Sequence, residues 1–250
     1  MTNRIMLFGD SHSYAMQRAA ERRDKKRLEV PIAIHRLLKQ KNDVIIGDTT
    51  LEQFVEKIRK LTPDDSVISM IGGNQHAVFS TIQHPRPFDF LEPSRPDWVP
   101  ATGSEIIPYA VLRANFAEGI AGGDGKSIMA LRDATAAHVV HVLPPPPKRD
   151  TAHILKHHES KFAEDNIAKL GVSSAELRMK CWILQKDVLV KFCRKIDVEV
   201  MFPPEEACDA DGFLLPEYYA NDATHANPSY GELIMQKLES RWLTRAAIGD

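Results

Sequence analysis

Cysteine is scarce in this chain of 250 residues. The three present, Cys181, Cys193 and Cys208, are odd in number and show no CxxC spacing, which speaks against a disulfide framework and leaves them as reduced thiols. An excess of charge of one sign is also lacking. A net charge of -2 removes the electrostatic case for nucleic acid or an anionic membrane as partner. No run approaches the ~20 apolar residues of a membrane span, so no membrane partner is expected. The N-terminus enters a strand pattern at Arg4 or Ile5, which leaves no room for a signal peptide, and a cytoplasmic location is expected. Internal repeats are absent, and "PPPP" (144–147) is too short for a low-complexity tract and reads as a strand stop. The basic run "RAAERRDKKR" (18–27) reads as a solvated helix face and the turn after it.

What remains is ordinary for a globular enzyme: 43% hydrophobic and 26% charged residues, in a length that suits one domain over 1–250. Short apolar, β-rich runs alternate with helical patterns. Strands are predicted at "RIMLF" (4–8), "VPIAIH" (30–35), "SVISMI" (66–71), "HVVHVL" (138–143) and "DVEVMF" (197–202), with "DVIIG" competing for the second. Nearly continuous apolar runs suit strands covered on both faces. Between them, "TLEQFVEKIRKL" places Leu51, Phe54, Val55, Ile58 and Leu61 on one face, with Thr50 and Gln53 as a capping box. Ser173 and Glu176 repeat the device before a helix striped with Leu177, Cys181, Leu184, Val188 and Phe192. Asn227 and Pro228 open a last helix whose core face is Tyr230, Leu233, Ile234, Leu238 and Trp242. Such alternation implies right-handed crossovers and a parallel sheet between helix layers. Residues 77–110 break the rhythm as a proline- and aromatic-rich insertion, expected to wall a binding cleft with at least one of Phe79, Phe88, Phe90, Trp98 and Tyr109, or else to pack them elsewhere. "GIAGGDGKS" (119–127) lacks a preceding strand and the phosphate-loop spacing, and reads as a turn between helices.

Ligands of an open parallel sheet bind at the carboxyl ends of its strands. Three polar clusters follow strands there: "GDSH" (9–12), "GGNQH" (72–76) and, beyond a loop, "NDATHANPSYGELI" (221–234). Asp222 and His225 are three apart, a spacing that lets the carboxylate hold one imidazole nitrogen while the other serves as a base. The alternative is a helix-entry turn in which both satisfy backbone groups. A serine hydroxyl at a strand end, Ser11, needs such a base. Acyl transfer also needs oxyanion donors, for which Asn74 offers an amide, Ser11 its backbone N–H, and Gly47 of "IIGDTT" a further N–H, unless Gly47 is only a turn before the next helix.

These residues resemble the blocks of the SGNH, or GDSL-type, hydrolase superfamily. "FGDSHS" resembles the nucleophile block with Ser11, "IGGNQH" the asparagine block with Asn74, and "DATH" the last block with Asp222 and His225; Gly47 is the weakest match. The blocks occur in the family's order, except that Gln75 stands where an aspartate usually follows the asparagine, for which rearranged supporting bonds are expected. The resemblance implies a flavodoxin-like three-layer α/β/α sandwich with a roughly five-stranded parallel sheet, no cofactor, and ester chemistry. In it Ser11 is the nucleophile, His225 the base and Asp222 its orienter, with Asp10 supporting the nucleophile turn. A small-molecule or carbohydrate ester is the expected substrate, carrying a small acyl group such as acetyl. An acyltransferase with the same triad and a non-catalytic binding module on the same fold are the rivals.

The remaining histidines divide. His12 and His76 lie inside the motif loops and are expected to contact a polar substrate. His138 and His141 flank an apolar pair and read as structural. His153, His157 and His158 could approach zinc-like spacing on a helix, but no HExxH or third ligand accompanies them, so no metal is expected.

Overall fold

The computed structural model describes residues 4–23, 32–41, 44–158, 162 and 164–248. Five parallel strands form the central sheet: β1 (Ile5–Gly9), β2 (Ile32–Arg36), β3 (Ser66–Met70), β4 (His138–Val142) and β5 (Glu199–Met201), in the order β2-β1-β3-β4-β5. Among the described residues the helices of six residues or more are α1 (Ser13–Arg22), α2 (Leu51–Ile58), α3 (Gln75–Ser80), α4 (Tyr109–Gly122), α5 (Asp124–Asp133), α6 (Thr151–Lys156), α7 (Ala175–Lys195) and α8 (Pro228–Ile248). The fold is a three-layer α/β/α sandwich. All five expected strands form, within a few residues of their expected ends.

Strand alternation explains why both sheet faces are apolar. Ile5, Leu7, Ile68, Met70, Val140 and Val142 point to one face, where α1 and α8 add Met16, Ala19, Tyr230, Ile234 and Leu238. Phe8, Val67 and Val139 point to the other, against Phe54 and Ile58 of α2, Ile128 and Leu131 of α5, and Cys193 of α7. α1 and α8 approach so closely that a Cβ on Gly231 would lie 2.3 Å from the Ala15 carbonyl oxygen.

The competition for the second strand is resolved in favour of 32–36, whose register runs Ile5↔Ile32 to Gly9↔Arg36. Residues 44–46 instead fold back on 39–41 as an antiparallel ribbon outside the main sheet. So short a connection permits only antiparallel pairing, since a parallel crossover needs a dozen residues or more. Residues 30 and 31, and 24–27 of the basic run, lie outside the described residues.

The caps at Thr50 and Asn227 form as the sequence indicates: Thr50 and Gln53 make the reciprocal capping box, and Asn227 Oδ1 accepts from the Ser229 and Tyr230 amides. The α7 cap needs a correction. Ser174, not Ser173, accepts the Leu177 amide, while Ser173 Oγ donates to the Ile82 carbonyl. "SSAE" offers two hydroxyls in sequence, and the bond to Ile82 takes the first.

The insertion packs against the helices of one layer. Phe90 is fully buried with Leu112 and Phe116 of α4 and Leu177, Cys181 and Leu184 of α7, and Phe79, Phe88 and Tyr109 pack against that cluster. Trp98 stacks on Phe213 with ring centroids 6.3 Å apart. A buried ion pair pins the segment: Lys180 Nζ of α7 lies 2.9 Å from Asp89 Oδ1, and Asp89 also accepts the Phe90 and Ala101 amides. All five aromatics therefore make packing contacts, and Phe79 and Phe88 also line a cavity with Val78, His84, Arg86 and Ile107.

Candidate active site

β1 delivers its last residue into a turn, Asp10-Ser11-His12, from which α1 starts at Ser13. The turn is tied by Ser13 Oγ, which donates to the Asp10 carbonyl at 2.6 Å. Ser11 is exposed and takes no part in that bond. Asp10 is buried and links two strand ends: its Oδ1 faces the His12 amide at 3.4 Å and its Oδ2 accepts the Gly72 amide at 3.0 Å.

The loop after β3 is bent by Gly72 and Gly73 at φ 77° and 90°, a region that side chains disfavour. Its groups are held from three directions. Asp124, at the start of α5, accepts the Gly73 amide at 3.3 Å. Gln185 of α7 donates Nε2 to the Gly73 carbonyl at 2.6 Å and accepts the His76 amide at 2.7 Å. His76 Nδ1 donates to the same carbonyl at 2.9 Å. His76 is only 6% exposed, and its partners are the Gly73 carbonyl and Gln185. Asn74 stands at the head of α3 without capping it, and its Oδ1 lies 2.7 Å from His12 Nε2. Gln75, the departure from the family pattern, reaches the Asn115 carbonyl at 3.5 Å.

The third cluster folds as a tight turn around one carboxylate. Asp222 Oδ1 accepts the amides of Thr224 (3.0 Å) and His225 (2.7 Å), which leaves Oδ2 to meet His225 Nδ1 at 3.0 Å. Behind it, the buried Lys148 ammonium donates to the Ala220 and Asp222 carbonyls and lies 3.5 Å from Asp222 Oδ1. Burial works to raise the Asp222 pKa, but the His225 hydrogen bond and charge, with Lys148, outweigh it and hold the carboxyl well below its usual range. The His12 and His225 rings meet with centroids 4.8 Å apart, which brings the third cluster against the residue following Ser11. Burial first, and then the His225 charge, push His12 down to about 4; burial does the same for His76. Both are neutral near pH 7.

The structure thus gathers Ser11, His12, Asn74, Asp222 and His225 at the carboxyl edge of the sheet. Gly47 sits at that edge too, at φ 87°, with the Arg36 and Leu37 carbonyls as its close neighbours. His153 and His157 pack ring to ring at 4.8 Å, and His153 Nε2 lies 3.0 Å from the Ala220 carbonyl. Among the described residues no three His, Cys, Asp or Glu side chains group as a metal site, and no helix is long and apolar enough to cross a membrane. Sequence reasoning missed Lys148, Asp124 and Gln185. Each is remote in sequence from what it supports, and a fully buried lysine runs against the usual distribution.

The chain is similar to several solved structures. The chain is similar to a carbohydrate acetylesterase from Sinorhizobium meliloti, at 13% identity over 95% of this chain and 99% of that one, TM-score 0.44. It is similar to a GDSL-like lipase from Bacteroides thetaiotaomicron, at 14% identity over 98% and 89%, TM-score 0.45. A phospholipase A1 from Streptomyces albidoflavus is similar at 11% identity over 95% and 99%, TM-score 0.45. No protein-family model matches the chain, and no curated protein matches it.

Proposed function

We propose that the chain is a serine ester hydrolase of the SGNH type. The observation that carries this reading is the Asp222–His225 pair, 3.0 Å apart at Nδ1, with the imidazole against the ring of His12, the neighbour of Ser11. With Nδ1–H donated to Asp222, Nε2 is the nitrogen left to act as base. Ser11 Oγ attacks the ester carbonyl as His225 Nε2 takes its proton. The carbonyl oxygen becomes an oxyanion, bound by the Asn74 amide and the Ser11 N–H, with Gly47 N–H as a further donor. Collapse breaks the bond to the alcohol, which leaves with the proton from His225. Water, deprotonated by the same nitrogen, then attacks the acyl-enzyme and releases the acid.

The substrate we propose is a small acyl ester, such as an acetyl group, on a sugar or other polar alcohol. One feature supports a polar ester: the residues of the three clusters at the strand ends are polar. The experiment is hydrolysis of short-chain aryl esters and acetylated sugars by wild type and Ser11→Ala. Turnover by wild type that vanishes in Ser11→Ala is the expected result. Turnover that survives the substitution would refute a serine mechanism.

A further inference from the structure

We infer that His12 is a positioning residue that decides which end of the Asn74 amide faces the Ser11 hydroxyl. The inference rests on the esterase reading above and goes beyond it, because His12 touches no reacting atom in this scheme.

The argument is one of donors and acceptors. An asparagine amide presents an acceptor at Oδ1 and donors at Nδ2, and an oxyanion can be stabilised only by the donors. Asn74 sits at the head of α3, and its side chain makes no bond to the helix amides. What fixes it is His12, with Nε2 2.7 Å from Oδ1. A carbonyl-type oxygen only accepts, so His12 must carry its proton on Nε2. The other nitrogen agrees: His12 Nδ1 is buried with no hydrogen-bond partner, so a proton there would be an unsatisfied buried donor. The ring itself has little freedom. It is 6% exposed, its backbone amide faces Asp10 Oδ1, and one face meets the His225 ring. A rigid imidazole N–H therefore occupies Oδ1 and leaves Nδ2 as the end available to an oxyanion. Without that donor, either end of the amide could face Ser11, and the wrong end would place a partial negative charge against the developing oxyanion.

Steady-state kinetics of His12→Leu, His12→Gln, Asn74→Ala and the double variant His12→Leu/Asn74→Ala, on a short aryl ester, test this. His12→Leu keeps bulk but has no donor; His12→Gln retains an N–H. The expected results are a kcat loss of roughly 10–100-fold in His12→Leu with KM nearly unchanged, and substantial recovery in His12→Gln. In the Asn74→Ala background His12→Leu should cost no more than about 2-fold further, since the group it orients is gone. An equal loss in both backgrounds would overturn the inference, as would a rise in KM with kcat intact, which would mark His12 as a substrate contact. A kcat loss in Asn74→Ala with none in His12→Leu would overturn the inference and leave the esterase reading standing. No kcat loss in Asn74→Ala would remove the oxyanion assignment and the inference with it. Should His12→Leu fail to fold, His12→Met supplies the donorless side chain.

Discussion

Asp222 shows how much a single residue here depends on others. Its two oxygens serve two backbone amides, an imidazole and a lysine ammonium, so the turn and the His225 orientation are built by the same carboxylate. Groups acting as one unit lose activity non-additively. Ser11→Ala and His225→Ala are each expected to remove nearly all ester turnover, and the double variant should be little worse than either. Independent, multiplying losses in initial-rate assays would contradict a shared step. Asn74→Ala should lower kcat by roughly 10²–10³-fold with little change in affinity, as expected for one oxyanion donor. Lys148 is the residue whose role no motif announced. Its fully buried side chain ties the Ala220 and Asp222 carbonyls to its own strand-end segment, where Arg178 in turn donates to the Lys148 carbonyl. Lys148→Met leaves those acceptors without their cation and should destabilise the fold by about 3–5 kcal/mol, measured by urea unfolding. An unchanged unfolding midpoint would show the ammonium to be dispensable. Ser11, Asn74, Asp222 and His225 could be picked out of the sequence because each stands in a short polar block just after an apolar run or before a helix cap. Lys148, Asp124 and Gln185 could not, because their significance lies entirely in a contact with a segment far along the chain.

At the scale of elements, the two helices on one sheet face set the position of the proposed nucleophile. α1 begins two residues after Ser11, and α8 begins three residues after His225. Their packing therefore couples the two halves of the proposed triad. The contact is made close by Gly231, where a Cβ would stand 2.3 Å from one backbone oxygen and 2.4 Å from a carbonyl carbon of Ala15. Backbone cannot yield as a flexible side chain does. Gly231→Ala should force the helices apart, at a cost of about 1–3 kcal/mol or more, and lower the melting temperature by several degrees. It should also reduce turnover without touching a site residue, as the Ser11 turn moves relative to His225. A variant that melts with wild type and keeps full turnover would show that the interface relaxes elsewhere. The elements themselves were well marked in sequence, because apolar runs of five or six residues bounded by turns leave little choice. The insertion was not. Its aromatics fit a cleft wall and a core satellite equally by composition, and the buried Lys180–Asp89 pair, invisible in the pattern, helps hold the segment against α7.

The stability of the molecule as a whole is tied to pH by its buried histidines. Three histidines, His12, His76 and His141, are buried, and burial is the leading reason each is pushed down to about 4 from an ordinary 6.5. His141 lies in the middle of the sheet, with Nδ1 3.1 Å from Ser69 Oγ. The unfolded chain takes up a proton on each as pH falls through 6.5, while the folded chain does not until about 4. Within that window the unfolded state binds more protons, so folding stability rises with pH. The contribution is fully present above 6.5, falls as pH drops, and is exhausted near 4. Asp222 adds to the same trend at lower pH, since its depressed pKa is a stabilisation lost when the carboxyl is protonated. Each such proton adds a slope of up to about 1.4 kcal/mol per pH unit within that window. The protein should therefore become progressively less stable as pH falls from 6.5 toward 4. Melting followed by circular dichroism at half-unit steps from pH 7.5 downward checks this. His141→Gln removes one of the three groups and should shrink the dependence by about a third, whatever it does to stability at pH 7.5. A melting temperature that stays level from pH 7.5 to 5 would mean that these imidazoles gain their protons inside the folded protein.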